Sequence, residues 1–301
     1  MSLAYISQQL ILSTGYAFLI IGIFGNTMNI RVFSSARKYL QSPAAFYFLA
    51  SSIVNNINIL INLISRIVST STEIDATRTS ILWCKLRNYG LSILGVISYT
   101  YSCLATIDQF FITSNDVRLR RYSNIKWAHR LTLITVIFWA LHGIPTLIYM
   151  NILPPTNFCA VDNDTYRSYV SIHSVVYQFA IPISIMVIFG RLTQRNIQNT
   201  IRLADQHADR QLVKMTVMQI FLVMISAGSF GIFYIYNLIT STMPKSTERL
   251  QIESFITTFI IITSYIYCIG NFYVFLIASS RFRQTVKNRL FWWKKPIQIH
   301  P

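Results

Sequence analysis

The chain has 301 residues, 53% of them hydrophobic and only 12% charged, with a mean hydropathy of +0.45. This excludes a water-soluble domain of ordinary make-up, in which about 25% of residues are charged. A net charge of +16 raises nucleic-acid binding, but the basic residues form four separate collars between apolar stretches, not one patch, so a nucleic-acid partner is excluded as well.

Cutting the sequence at every charged residue leaves long uncharged windows at residues 1–30, 39–65, 88–107, 131–161, 168–190, 215–244 and 254–280. Each reaches the about 20 residues a helix needs to cross a bilayer core. The predicted fold is all-α: a seven-transmembrane helix bundle making one domain over residues 1–301. Its spans fall at roughly 9–33, 42–66, 83–112, 129–151, 168–193, 211–240 and 252–279. The first window lacks a basic start and a small-residue cleavage site, so it reads as a retained span, not a secretory signal. With the N-terminus outside, 19 of the 26 lysines and arginines flank the spans on the inner side. The positive-inside rule therefore predicts a multi-pass plasma-membrane protein with its N-terminus out and its C-terminus in.

In chain order, the first span carries Asn26, and the second carries Asn55, Asn58 and Asn62 at helical spacing on one face. With Asn271 of the seventh they are expected to form an interior polar network, read as glue between helices and not as an ion site. Cys84 opens the third span and Cys159 lies between spans four and five; they are the two cysteines on the oxidising side, so a Cys84–Cys159 disulfide is predicted. The same loop holds the triplet Asn163-Asp164-Thr165, a glycosylation acceptor at Asn163. Beyond the seventh span, Phe282, Val286, Leu290 and Trp293 recur at helical spacing among basic residues. This predicts an amphipathic helix over 280–293 lying on the inner leaflet.

Several short motifs then appear in a telling order. They are "GIFGN" ending on Asn26, "LASSIVNN" with Asn55, "DQF" at Asp108, Gln109 and Phe110, Trp139, Pro182 in "FAIPIS", and "GNFYVF" followed by "SSRFR". In order and spacing the chain resembles the rhodopsin-like (class A) G-protein-coupled receptors, with a weaker similarity to invertebrate FMRFamide-like neuropeptide receptors. The resemblance places Asp108, Gln109 and Phe110 on the family's Asp-Arg-Tyr, and Asn271, Phe272 and Phe275 on its Asn-Pro-x-x-Tyr. Asp108, Gln109, Phe110, Asn271 and Phe275 are thus the expected activation and transducer contacts, and a heterotrimeric G protein the expected cytoplasmic partner. The departures are Gln109 in place of arginine, a sixth span without tryptophan or proline, and Phe272 in place of proline. Gly228 and Ser229 stand where a bend in the sixth span could form. Asn55 replaces the aspartate with which the family holds sodium, so no strong sodium effect is expected.

For the ligand, Leu91 stands where amine receptors carry an aspartate and Tyr265 where opsins carry a lysine, which argues against an amine or retinal ligand. The aromatic and amide set Arg87, Asn88, Tyr177, Gln178, Tyr234, Asn237 and Tyr265 makes up the remaining pocket candidates. With loop acids Glu73, Asp75, Asp162, Asp164, Glu248 and Glu253 around them, they suit a peptide with a basic or amidated end.

Other classes fare worse. A transporter should show intramembrane charges or an internal repeat. An enzyme needs a nucleophile with its base, paired carboxylates or metal ligands. The spans offer only His142 and His173, neither with an acid nearby in sequence, so no enzyme, cofactor or metal is expected. The rival reading is a receptor-like membrane protein that binds a ligand or partner without G-protein signalling.

Overall fold

The computed structural model describes residues 3–35, 37–72, 74–155, 157–199, 207–240 and 243–290. Glu73 and Trp293 lie outside the described residues, and so does the side chain of Leu290. Seven helices are long and apolar enough to cross a membrane: Leu3–Ser35, Pro43–Thr72, Ile81–Thr113, Ile125–Tyr149, Asp164–Gln198, Gln211–Thr240 and Thr247–Ala278, called spans one to seven. Their starts carry local signals. Ser42 caps span two ahead of Pro43, and the side chains of Ser80, Asn124, Asn163 and Ser246 accept the first free N–H groups of spans three, four, five and seven. Ile20, Ile134, Phe221, Ile232, Phe259 and Ile277 are each more than half exposed, the pattern of faces turned toward lipid.

Packing between the spans leaves no room for side chains at several glycines, Gly22 and Gly231 among them. A Cβ on Gly22 would stand 2.7 Å from both Ile59 and Ile269, so spans one, two and seven meet there. A Cβ on Gly231 would fall 2.2 Å from the Phe179 ring, so span six accepts that ring from span five against its bare backbone.

Two spans widen by one residue. In span two the turn Ile59–Leu63 is π-helical, with Ile64 N–H reaching Ile59 C=O. In span five the turn Ser174–Ala180 does the same, Ile181 N–H reaching Val176 C=O, just before Pro182, which has no N–H to give. Span six runs as continuous helix from His207 to Thr240, and Gly228 and Ser229 introduce no break. Span seven is likewise continuous from Thr247 to Ala278, consistent with Phe272 keeping the backbone donor that a proline would lack.

One element was not expected from an all-helical reading. Strands β1 (Met150–Leu153) and β2 (Phe158–Val161) pair antiparallel after span four, with Ile152 opposite Cys159. Apolar and β-branched residues on both sides of a Pro-Pro turn favour the pairing, and Asn157 takes the left-handed φ of 51° that asparagine tolerates. The Arg78 guanidinium sits 3.9 Å from the centre of the Phe158 ring.

At the opposite end, helix Ser280–Leu290 follows span seven after a break at Ser279. Phe282 and Val286 are buried, and Arg283 donates to the last carbonyls of span seven, Leu276 O at 2.7 Å and Ile277 O at 3.1 Å. Phe282 joins Phe33, Phe48, Phe272 and Phe275 in a ring cluster with centroid separations of 4.8 to 5.9 Å. This cluster ties spans one, two and seven to the last helix at the tail end of the bundle.

Candidate functional site

The hairpin end of the bundle contains a cavity of about 340 Å³. The Cys84–Cys159 disulfide, with a Cα–Cα distance of 5.7 Å across 75 residues of chain, fixes β2 to the first turn of span three. Asn88, one turn further on, donates to Cys84 O at 2.8 Å and lies 3.0 Å from Cys159 Sγ, so it braces the bridge while lining the cavity.

Of the residues expected to form a ligand pocket, Arg87, Asn88, Leu91, Gln178, Tyr234 and Tyr265 line this cavity. Tyr177 and Asn237 do not. Tyr177 packs edge-on against Trp139 at 5.7 Å, and Asn237 donates to Phe233 O within its own helix. Tyr177 and Gln178 both lie inside the π-helical turn of span five, whose widened geometry leaves Gln178 facing inward and Tyr177 turned to the neighbouring span. The same effect explains Arg66, which sequence spacing missed. Eight residues of regular helix would set Arg66 about 80° round from Asn58; one residue absorbed by the wide turn brings it back to within about 20°, and both line the cavity.

Three further residues were passed over. His142 and His173 were read as isolated membrane histidines, yet their rings stack at 4.7 Å and both line the cavity. Tyr169 OH lies 2.6 Å from His142 Nε2, and buried His173 Nε2 has no hydrogen-bond partner. The available signal was their shared depth, near the hairpin ends of consecutive spans.

The electrostatics are one-sided. Arg66 and Arg87 both line the cavity, and neither makes an ion pair among the described residues. No acid lines it. Four of the loop acids expected to receive a basic ligand are engaged locally instead. Asp75 holds Thr77 and Arg78, Asp162 accepts from Asn151, Asp164 pairs with Arg167, and Glu253 pairs with both Lys245 and Arg249. Glu248 lines a separate groove between spans six and seven.

Below the cavity, Tyr99 of span three meets Ser226 of span six at 2.8 Å. Tyr267 of span seven forms a node with hydroxyls from two other spans, Ser102 at 2.7 Å, Ser98 at 3.0 Å and Ser51 at 3.3 Å, and Ser98 donates to Asn55 Oδ1 at 2.8 Å. The interior asparagines therefore have separate partners. Asn55 belongs to this hydroxyl node, Asn58 and Asn62 bond each other at 2.6 Å with Asn58 reaching Cys268 Sγ, and Asn26 donates to Gly22 O and Cys268 O. Asn271 is buried, with its Oδ1 unpartnered.

At the tail end, Asp108 accepts from Ala44 N–H at 3.1 Å and from the Ser123 hydroxyl at 2.7 Å. Gln109 is buried with Oε1 unpartnered, Phe110 packs on Phe189 of span five at 5.4 Å, and Phe275 is enclosed by the ring cluster. Gln211, in the tail-end turn of span six, accepts from the Ser279 hydroxyl at 2.6 Å and Arg281 N–H at 3.0 Å, and donates to Ser280 Oγ at 3.2 Å. Asn163 is exposed, and its Oδ1 caps the helix that follows.

The chemistry available is recognition. Among the described residues no group of three or more His, Cys, Asp and Glu side chains could hold a metal ion, and the two free cysteines are buried. A search of curated proteins found no match to the chain. The sequence pattern of the family described as 7 transmembrane receptor (rhodopsin family) matches residues 25–275. That match covers most of the chain and spans the disulfide, the hydroxyl node and every member of the ring cluster but Phe282, so this protein is a multi-pass membrane receptor and belongs to the rhodopsin family, which is not a family of enzymes.

Proposed function

We propose that the chain is a plasma-membrane receptor with its N-terminus outside, which takes one end of a peptide into the hairpin-end cavity and signals through a heterotrimeric G protein. The observation that carries this reading is the cavity itself, roofed by a disulfide-pinned hairpin and lined by aromatic and amide side chains from several spans. Its size suits a terminal segment and not a whole peptide. The Tyr99–Ser226 and Tyr267 contacts supply a packed route from cavity floor to tail end. The basic collars support the orientation, with Asn163 then on the glycosylated side. The polar interior is neutral around Asn55, so no strong sodium effect is expected.

The second reading, a receptor-like protein that binds without signalling, is favoured by Gln109 and by the unbroken span six. One experiment separates the two. The chain, tagged at its N-terminus, is expressed with a panel of G-protein sensors and challenged with a peptide library. A tag accessible on intact cells, with basal or evoked activity on at least one sensor, supports the receptor reading. Surface protein silent on every sensor hands the case to the second reading, and an inaccessible tag on surface protein overturns the orientation.

A further inference from the structure

We infer that the hairpin-end cavity recognises a carboxylate, held between Arg66 and Arg87, with the ligand's aromatic or apolar body directed toward Phe230, Tyr166 and His173. This rests on the proposal that the cavity is the ligand site, and it replaces the basic or amidated peptide end with an acidic one.

The argument begins with charge. The Nε atoms of Arg66 and Arg87 are both shut off from solvent and make no hydrogen bond, although they come from different spans. Both guanidinium groups lie near enough to each other and to the Tyr265 hydroxyl to interact electrostatically. Two cations facing a shared, half-dry space repel each other and lose hydration. A basic ligand would add a third positive charge, and a neutral one would leave both uncompensated. An anion cancels the repulsion and gives the guanidinium groups an acceptor. The described acids cannot do this, because none of them lines the cavity.

Geometry narrows the anion. A guanidinium offers two parallel N–H groups that match the two oxygens of a planar carboxylate. The Tyr265 hydroxyl supplies a neutral donor beside them. Spans five and six give the lining an aromatic side, with Phe230 of span six and Tyr166 and His173 of span five. Buried His173 Nε2 offers a single further hydrogen bond. A ligand that joins a carboxylate to an aromatic group matches both walls, as in a peptide ending in a free aromatic residue or in a small aromatic acid.

The test uses the full-length receptor, purified in nanodiscs, and reads the shift of its thermal unfolding midpoint with two matched probe series. One is tripeptides ending in Phe or Trp, as free acids and as amides; the other is phenylacetate and indole-3-acetate with their primary amides. The expected result is that at least one acid raises the midpoint at a concentration about tenfold or more below that needed by its amide. A response confined to the tripeptides or to the small acids tells which source of carboxylate the cavity takes. Arg66→Gln and Arg87→Gln should remove the preference, whereas Arg87→Lys should retain part of it. Phenyl phosphate is the third arm: stabilisation by it and by none of the carboxylates overturns the carboxylate assignment. Equal effects of acids and amides, or no effect of any acid on the parent chain, overturn the inference without reference to whether the variants fold. Acids that stabilise while every G-protein sensor stays silent would leave the anion site standing and remove the signalling proposal. Amidated peptides that signal regardless of Arg66 and Arg87 would do the reverse.

Discussion

The two ends of the bundle leave different kinds of buried groups without partners, and the difference bears on what each end does. At the hairpin end the unpartnered atoms include those of Arg66, Arg87 and His173, whose side chains face a cavity, with the neutral Asn62 beside them. Toward the tail end they include the neutral amides of Asn29, Gln109, Gln219 and Asn271, enclosed by packed helices, and, among the described residues, no charged group. An uncompensated buried cation costs several kcal/mol and calls for a counter-charge from elsewhere. A buried amide costs about 1–3 kcal/mol and can be satisfied by a neighbour that turns toward it. One end is therefore open to completion by a ligand; the other is suited to repacking.

The largest expected effect tests the packing side of that contrast. Phe275→Ala removes a ring enclosed by Phe33, Phe48 and Phe282 and should cost about 3–5 kcal/mol. Phe230→Ala, at the wall of an existing cavity, should cost clearly less. Thermal unfolding of both in nanodiscs decides, and equal losses would mean that the two ends do not differ in packing. Next comes Cys84→Ser, which frees β2 from span three and should cost about 2–5 kcal/mol. The loss should come with weakened ligand stabilisation and an intact ring cluster. Alkylation that found Cys84 and Cys159 both reactive in the folded parent would remove the premise. Smaller still is Tyr267→Phe, which deletes the hydroxyl shared by Ser51, Ser98 and Ser102. A loss of about 1–3 kcal/mol is expected; an unchanged midpoint would show that the serines satisfy each other without it.

Much of the molecule was legible from the chain because lipid imposes a simple code. Uncharged windows of span length marked every helix, and the sidedness of four cysteines pointed to the bridge between Cys84 and Cys159. The site was legible only in part, for reasons of helix phase. A constant 3.6-residue period cannot anticipate wide turns at Ile59–Leu63 and Ser174–Ala180, and these decide that Arg66 and Gln178 face inward and Tyr177 does not. Loop acids suggested a cationic ligand because sequence shows charges without their partners. Asp164 and Glu253 turn out to be held by Arg167, Lys245 and Arg249. The hairpin was hidden because its pairing depends on residues brought opposite each other by a turn, not on any period within one segment.

The smallest effect concerns Gln211 and bears most directly on whether the tail end can move. Span six carries no proline and no wide turn and runs unbroken through Gly228 and Ser229, so its tail end is continuous with the rest of the helix, like the end of a lever. Three hydrogen bonds from Gln211 to Ser279, Ser280 and Arg281 hold that lever to the junction between span seven and the last helix. Each bond is worth about 0.5–1.5 kcal/mol net, and part of that is regained from water when the side chain is cut back. Gln211→Ala should therefore bias the resting state by about 1 kcal/mol, roughly a fivefold rise in basal G-protein signal per receptor at the surface. Gln211→Glu keeps both accepted hydrogen bonds, adds a negative charge beside Arg281, and should lower the basal signal. If parent, alanine and glutamate forms share the same basal activity while any of them responds to a ligand, the contact is structural and the lever is held elsewhere.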